Sequence, residues 1–95
     1  MSCDLVTIGC VCADVKAQPV DTLPKRGTLG LIPSLDMTMG GLAGVTAAVF
    51  SQLGGQAAFT GCLGNDAFVA SLIRAFDDAQ VNTDGIRRID GQNSA

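Results

Sequence analysis

The sequence predicts an α/β fold, and three stretches of its 95 residues lead to that prediction. Residues 4–9 are rich in β-branched side chains and end in glycine, as short buried strands do. Residues 43–53 are almost wholly apolar and span about three helical turns. Residues 56–61 repeat the strand pattern after the helix. Strand, helix and strand in this order are typical of an α/β layer.

Two further stretches, between the first strand and the helix, have the pattern of edge strands. Residues 15–20 and 28–39 alternate apolar and polar side chains, as strands with one wet face do. Pro19 and Pro33 interrupt them, and proline is confined to edge positions because it lacks an amide donor. The proline- and glycine-containing residues 22–27 form the turn between them. We therefore predict a projecting ribbon of two edge strands, at about 15–20 and 28–39.

The chain after the apolar helix predicts one more helix and a weaker strand. The glycine pair 54–55 ends the first helix, because glycine readily adopts left-handed backbone. Across residues 67–80, apolar side chains recur at three- and four-residue spacing, which is the pattern of a half-buried helix. Asn65 or Asp66 can cap its start. Residues 81–89 predict only a short extended piece.

The composition indicates one small globular domain whose apolar surface needs a cover. Hydrophobic residues make up 47% of the chain and charged residues 16%, while a domain this short buries only about 60% of its unfolded surface. Residues 43–53 nevertheless look apolar nearly all round, as helices covered on every side do. We expect either a partner chain or the remainder of a longer protein to cover this helix.

Charge and residue content exclude several classes of function. The net charge is −3 and Trp and Tyr are absent, so nucleic acid is not an expected partner. No apolar run reaches the roughly 18 residues of a membrane span, and the N-terminus lacks the order of a signal peptide. We therefore expect a cytoplasmic protein with no membrane partner and with its four cysteines reduced. Because His and Glu are absent, any carboxylate acid–base chemistry falls to the nine aspartates.

The glycine-rich entry to the apolar helix is the candidate binding site. Gly40, Gly41 and Gly44 allow a tight turn and a close approach of backbone. The first amides of a helix lack partners and carry the positive end of its dipole, so a hydroxyl, carboxylate or phosphate would suit this position. Alternatively, Gly40 and Gly41 merely end a strand and let a buried helix pack closely. A dinucleotide fingerprint fits poorly, because Gly61 stands about where that motif needs an acidic residue.

The order of motifs along the chain resembles the N-terminal third of a ribokinase-like (PfkB family) carbohydrate kinase, over residues 4 to about 81. This resemblance implies that residues 1–95 are the N-terminal part of a three-layer α/β domain with a small β-strand lid. It also implies transfer of the γ-phosphoryl group of ATP, with Mg²⁺, to a hydroxyl of a sugar or nucleoside, and a homodimer through the lid. The motifs are a strand, Gly9, Asp14-Val15, Leu23-Pro24, Gly27, Gly40-Gly41, an apolar helix, Leu53-Gly54, Gly61, Gly64 and Asp66.

The resemblance also implies roles for four residues. Asp14 would hydrogen-bond the acceptor hydroxyls, and Gly40 and Gly41 would lie under the acceptor. Val45 stands where the family usually has Asn, so an expected hydrogen bond to the substrate cannot form. From the residues alone, Asp14 also fits a turn or cap aspartate after a strand, and Val45 also fits a core residue.

The family's catalytic base and nucleotide pocket do not occur in these 95 residues. The base is an aspartate in a Gly-Ala-Gly-Asp motif, which this sequence lacks. We therefore expect ATP and Mg²⁺ to bind elsewhere in a full-length protein, and residues 1–95 alone to be inactive.

The leading hypothesis is the acceptor-binding half of a sugar or nucleoside kinase. The alternative is a non-catalytic sugar-binding or dimerisation module of the same architecture. Val69 and Gln80 stand where the family has glycine, and we expect these two replacements to affect packing only.

Overall fold

The computed structural model describes residues 2–95, which form two sheets and two helices. A three-stranded sheet carries the helices, and a two-stranded antiparallel ribbon forms the second sheet. The predicted α/β fold is thereby confirmed. The elements in chain order are β1 (Leu5–Ile8), β2 (Cys12–Gln18), β3 (Ser34–Gly40), α1 (Leu42–Gln52), β4 (Ala57–Gly64), α2 (Val69–Asp78) and β5 (Asn82–Ile89).

The larger sheet is parallel and has the strand order β1-β4-β5. The connections from β1 to β4 and from β4 to β5 both move the chain toward the same edge of the sheet. Because such parallel connections are right-handed, α1 and α2 cover the same face of the sheet. No helix of residues 2–95 lies on the other face. β5 is a strand of eight residues, where the sequence predicted only a short extended piece. Its ladder with β4 supplies the hydrogen bonds that the local pattern of residues 81–89 does not reveal.

The core lies between the parallel sheet and the two helices. Phe59 of β4 stacks on Phe76 of α2, with ring centroids 4.9 Å apart. The Thr7 hydroxyl of β1 donates to the Ala43 carbonyl of α1 over 2.9 Å. The buried side of α1 is made of small residues, which lets the helix lie close to the sheet. The buried apolar residues are Val11, Ala43, Ala47, Ala48, Ala57, Phe59, Leu63, Val69, Leu72, Phe76, Ala79 and Val81.

The ribbon of β2 and β3 has different ends from those predicted. Its ladder covers Cys12–Gln18 and Ser34–Gly40, instead of about 15–20 and 28–39, and residues 19–33 form the loop between the strands. The ladder stops at the pair Gln18↔Ser34. Pro19 follows Gln18, and Pro33 precedes Ser34. Because neither proline has an amide hydrogen to donate, the ladder cannot continue in register beyond this pair.

The two faces of the ribbon differ in polarity, because opposite residues share a face and successive residues alternate. The polar face holds Cys12, Asp14, Lys16 and Gln18 of β2 with Gly40, Thr38, Asp36 and Ser34 of β3. The apolar face holds Ala13, Val15 and Ala17 of β2 with Met39, Met37 and Leu35 of β3. Val15, Leu35 and Met37 are exposed.

α2 is shorter at both ends than the predicted helix at 67–80. The Asp66 carboxylate accepts the Phe68 amide over 2.9 Å, in the turn that precedes Val69. Asp66 therefore orders the entry to the helix without being its cap residue. At the other end, Gln80 adopts a left-handed φ of 61° and ends the helix. Its backbone thus takes the conformation that favours glycine, which the family resemblance placed at this position.

The residues after β5 return to the carboxyl ends of the strands. The second carboxylate oxygen of Asp66 accepts the Ser94 amide, and the Ser94 hydroxyl accepts the Gly64 amide over 3.1 Å. The Ala13 amide donates to the Ala95 carbonyl over 2.8 Å. The amide of Ser94 lowers the pKa of Asp66 from its ordinary value by favouring the carboxylate. This segment therefore ties the end of β4 to the start of β2.

Besides the apolar face of the ribbon, apolar side chains are exposed on α1 and on the parallel sheet of the described part of the chain. On the outer side of α1, Leu42 is 86%, Val49 46% and Leu53 82% exposed. On the bare face of the parallel sheet, Ile8 is 78% exposed. Such area on one small domain is typical of surfaces that another segment or chain covers. Neither helix within residues 2–95 has the length and apolar character needed to cross a bilayer.

Candidate functional site

A concavity of about 670 Å³ lies where the carboxyl end of β1, the ribbon and the start of α1 meet. In open α/β sheets ligands bind beyond the carboxyl ends of the strands, which is where this concavity lies. All four residues to which the family resemblance gives a role, Asp14, Gly40, Gly41 and Val45, line it. Gly44 does not line it and instead lies close to the Val11 side chain. The complete lining is Cys10, Asp14, Lys16, Met39, Gly40, Gly41, Leu42, Val45 and Thr46.

Asp14 lies on the polar face of the ribbon, and its carboxylate extends over Gly40. A Cβ atom at position 40 would lie 2.2 Å from Asp14 Oδ2 and 2.7 Å from Asp14 Cγ. Gly40 therefore provides the space that the Asp14 side chain occupies. The turn or cap role considered for Asp14 does not describe its position, because Asp14 lies within β2.

Gly41 is required by the backbone behind the concavity. Its φ is 92°, and a Cβ atom there would lie 2.7 Å from the Cys10 carbonyl oxygen and 2.8 Å from Val11 Cα. The turn from β3 into α1 thus packs directly on the connection between β1 and β2. Close packing of α1 therefore explains Gly41. Gly41 also lines the concavity, so the packing role and a place in the candidate site are both met by this residue.

The N-terminus of α1 opens into the same concavity. Gly41 precedes the helix, no side chain of the described residues caps it, and its first turn holds no acidic residue. The Gly44 amide donates to the Cys10 carbonyl over 3.2 Å, and the Val45 amide donates to the Gly41 carbonyl over 3.0 Å. The positive end of the helix dipole is therefore not neutralised by an acidic side chain of its own helix, and it favours an electron-rich ligand group.

Val45 belongs to the concavity and not to the core. Its side chain is 40% exposed, so the alternative of a core valine is wrong for the described residues. Val45 and Thr46 also begin an apolar groove of about 390 Å³ that continues along α1 past Val49 to Leu53. The wall that α1 contributes is therefore largely apolar, apart from the Thr46 hydroxyl, which donates to the Leu42 carbonyl over 2.6 Å.

Three polar side chains near Asp14 were not singled out from the sequence as site residues. Lys16 and Cys10 line the concavity, and the Cys12 thiol donates to Asp14 Oδ1 over 3.6 Å. Burial and the nearby Asp14 carboxylate raise the pKa of the Cys12 thiol, so it keeps its proton. The available signal was the two-residue spacing of Cys12, Asp14 and Lys16, because side chains at this spacing share one face of a strand.

Comparisons with known proteins agree with this architecture. The profile of the pfkB family carbohydrate kinases matches residues 3–95. This chain belongs to that family, and the resemblance inferred from the order of its motifs is confirmed. A comparison with curated protein sequences finds no match.

Solved structures of related fold include several kinases. A ribokinase of Arabidopsis thaliana, solved with ribose and ATP, is 27% identical with a TM-score of 0.84, and the match covers 99% of this chain and 30% of that one. A fructokinase of Xylella fastidiosa is 32% identical with a TM-score of 0.74, over 95% of this chain and 26% of that one. A nucleoside kinase of Methanocaldococcus jannaschii shares the fold at 22% identity and a TM-score of 0.76, over 95% of this chain and 30% of that one. The chain thus spans less than a third of the length of these relatives.

The described residues do not form a metal-ion site. Residues 2–95 contain no group of three or more His, Cys, Asp or Glu side chains that could hold a metal ion. The cationic side chain that lines the concavity with Asp14 is Lys16, which attracts anions and opposes a cation. The concavity therefore suits a small polar molecule with hydroxyl groups better than Mg²⁺.

Proposed function

We propose that this chain is the acceptor-binding part of an ATP-dependent kinase, which transfers a phosphoryl group to a hydroxyl of a sugar or nucleoside. The observation that carries the proposal is the convergence of the Asp14 carboxylate, the Gly40-Gly41 turn and the start of α1 on one concavity. The family membership and the ribose-bound relative of similar fold support this choice of acceptor.

Each wall of the concavity contributes a different interaction in this proposal. The Asp14 carboxylate accepts hydrogen bonds from acceptor hydroxyls, and a carboxylate can accept two at once. The glycine turn lets the acceptor approach bare backbone at the start of α1. Val45 offers no hydrogen bond, so the natural acceptor presents an apolar part at that point, lacks a hydroxyl there, or binds there through water.

Phosphoryl transfer also needs groups that the described residues do not provide. The reaction depends on positioning the phosphates and their metal, with a residue that orients the attacking hydroxyl. In the proposal those groups belong to other parts of a full-length protein, where ATP and Mg²⁺ bind. Residues 2–95 act only by binding and orienting the acceptor.

The test of this proposal is the variant Asp14→Asn in the full-length protein. Hydrogen bonds to a charged group contribute about 1.5 to 3 kcal/mol, so we expect the acceptor KM to rise about ten- to one-hundredfold while the KM for ATP stays near its original value. Asp77→Asn is the matched control, because Asp77 is exposed on α2 outside the concavity. An unchanged acceptor KM in Asp14→Asn would refute the proposal.

The alternative function, a non-catalytic sugar-binding or dimerisation module, makes a different prediction in the same experiment. Val45 is the observation that favours it, because the usual hydrogen-bonding residue of the family is missing there. A full-length protein that binds a sugar through Asp14 but shows no acceptor-dependent ATP turnover would support the module and exclude the kinase.

We also propose that the protein forms a homodimer through the apolar face of the ribbon. Val15, Leu35 and Met37 of that face are exposed on a two-stranded sheet. An exposed apolar ribbon invites pairing with another chain unless a specific contact covers it. A second ribbon of the same kind offers a face of matching shape and polarity, and a two-fold axis would bring the two faces together.

A further inference from the structure

We infer that Cys12 is a positioning residue for Asp14, because its thiol donates a hydrogen bond to Asp14 Oδ1 and so fixes the carboxylate toward the acceptor. The inference rests on the proposed function of Asp14 as an acceptor ligand. It assigns a role to a cysteine that the sequence analysis treated as a small apolar residue.

The Asp14 carboxylate lies between the Cys12 thiol and the space above Gly40. Cys12 and Asp14 are two residues apart on β2 and therefore share the polar face of the ribbon. Cys12 Sγ lies 3.6 Å from Asp14 Oδ1, while Asp14 Oδ2 lies over Gly40, which is the register partner of Cys12. The thiol thus contacts one carboxylate oxygen, while the other occupies the space that a side chain at position 40 would fill.

The direction of the hydrogen bond follows from the protonation state of the thiol. Burial, followed by the nearby Asp14 carboxylate, raises the pKa of Cys12, so the group is a neutral S–H donor at physiological pH. An ionised carboxylate can only accept, so donor and acceptor match. A thiolate would instead repel Asp14, and a thiol whose pKa is raised is a poor nucleophile. The role of Cys12 is therefore positional and not covalent.

A purely packing role for Cys12 makes a different prediction. If the thiol only fills space, an apolar residue of similar volume should preserve acceptor binding, and a serine should do no better. If the thiol positions Asp14, the apolar residue should weaken acceptor binding and serine should restore it. Valine and serine at position 12 therefore separate the two roles.

The experiment measures the acceptor KM and kcat of Cys12→Val and Cys12→Ser in the full-length protein. Because S–H is a weak donor to a charged acceptor, Cys12→Val should raise the acceptor KM about three- to tenfold with kcat within about twofold, and Cys12→Ser should stay within about twofold of the parent KM. Cys62→Val is the control, because Cys62 is exposed on β4 and does not line the concavity. Its KM should not change.

A double-mutant cycle shows whether Cys12 acts through Asp14. In an Asp14→Ala background the thiol has no carboxylate to hold, so Cys12→Val should cause no further loss of kcat/KM for the acceptor. Full additivity of the two losses would overturn the inference, as would equal KM values for Cys12→Val and Cys12→Ser.

Failure of the inference and failure of the proposed function give different results. If Asp14→Asn raises the acceptor KM but Cys12→Val does not, Asp14 is a ligand and only the role of Cys12 is wrong. If Asp14→Asn itself changes nothing, the proposed function fails first. Melting curves verify that each variant is folded, and Cys12→Ala replaces Cys12→Val in the comparison with serine if the valine variant does not fold.

Discussion

Gly40 and Gly41 are adjacent, yet different contacts require glycine at each. At Gly40 a Cβ would meet the end of the Asp14 side chain, which can rotate away. At Gly41 a Cβ would meet the Cys10 and Val11 backbone, which cannot move without shifting β1 or β2. Gly40 therefore leaves space for the Asp14 side chain, and Gly41 allows α1 to pack closely against the sheet.

This difference predicts that Gly41→Ala is strongly destabilising. A positive φ costs a non-glycine residue about 1 to 3 kcal/mol, and the added clash costs about 1 to 3 kcal/mol more. The free energy of unfolding should therefore fall by about 2 to 6 kcal/mol in urea denaturation of the full-length protein. Gly54→Ala is the control, because Gly54 has a φ of 103° but meets nothing within 4 Å. Equal losses for the two variants would show that backbone strain alone explains Gly41.

Val45→Asn tests whether Val45 determines the acceptor. An unpaired buried hydroxyl costs about 1 to 3 kcal/mol, so asparagine at this position should lower the KM for sugars that place a hydroxyl beside it, measured over a panel of sugars and nucleosides. Val49→Asn is the matched control, because Val49 lies one turn further along the same exposed side of α1, outside the concavity. A loss of stability with unchanged selectivity in both variants would remove Val45 from the acceptor site.

At the scale of elements, the ribbon separates two tasks by strand alternation. Its polar face carries Asp14 and Cys12, and its apolar face carries Val15 and Met37. A single two-stranded element can therefore hold an acceptor on one face and a second subunit on the other. A closed dimer would also cover an apolar surface that otherwise promotes aggregation.

Met37→Lys should disrupt the proposed dimer. A lysine on the apolar face places a charge between the two ribbons, and burying an unpaired charge is unfavourable. Sedimentation of the full-length protein should therefore shift toward the monomer. Asp36→Lys is the control, because Asp36 is the neighbouring residue on the polar face of β3 and lies outside the concavity. If Met37→Lys and the parent sediment alike, the apolar face is not the dimer contact.

At the scale of the whole molecule, the described residues bury one side of their sheet and leave the other side bare. The core gathers between the parallel sheet and the two helices, while Ile8 and the outer side of α1 stay exposed. A three-layer α/β domain covers both faces of its sheet. The bare face at Ile8 is therefore the surface that the second helix layer of such a domain would cover.

The isolated chain of residues 1–95 should accordingly transfer no phosphate and should expose apolar surface. We expect no acceptor-dependent ATP turnover, because residues 2–95 contain no group of side chains that could hold a metal ion and the sequence lacks the Gly-Ala-Gly-Asp motif of the family's catalytic base. We also expect binding of a hydrophobic dye and self-association, because the outer side of α1 is exposed. The full-length protein, assayed in parallel, is the control. Turnover by residues 1–95, or a cooperative melt of a dye-free monomer, would contradict these expectations.

The sequence by itself determined the features that depend on local pattern and on the order of motifs. The β-branched runs, the apolar helix and the glycine pair 40–41 predicted the α/β class and the place of the candidate site. The two prolines predicted that the strands of the ribbon are edge strands, because proline lacks an amide donor. The first and last residues of these strands could be assigned only from the observed pairing. Pro19 and Pro33 mark the ends of the ladder instead of interruptions within longer strands, and only the partner strand shows which amides are needed.

The tertiary structure decided what depends on contacts between distant residues. β5 becomes a full strand because β4 pairs with it, and Gly40 is needed because Asp14, 26 positions earlier in the sequence, lies over it. Val45 lines the concavity instead of the core because the helix buries its small residues Ala43, Ala47 and Ala48 against the sheet. Because this helix is apolar nearly all round, its sequence does not show which side faces the sheet. That side is determined by packing in the folded protein.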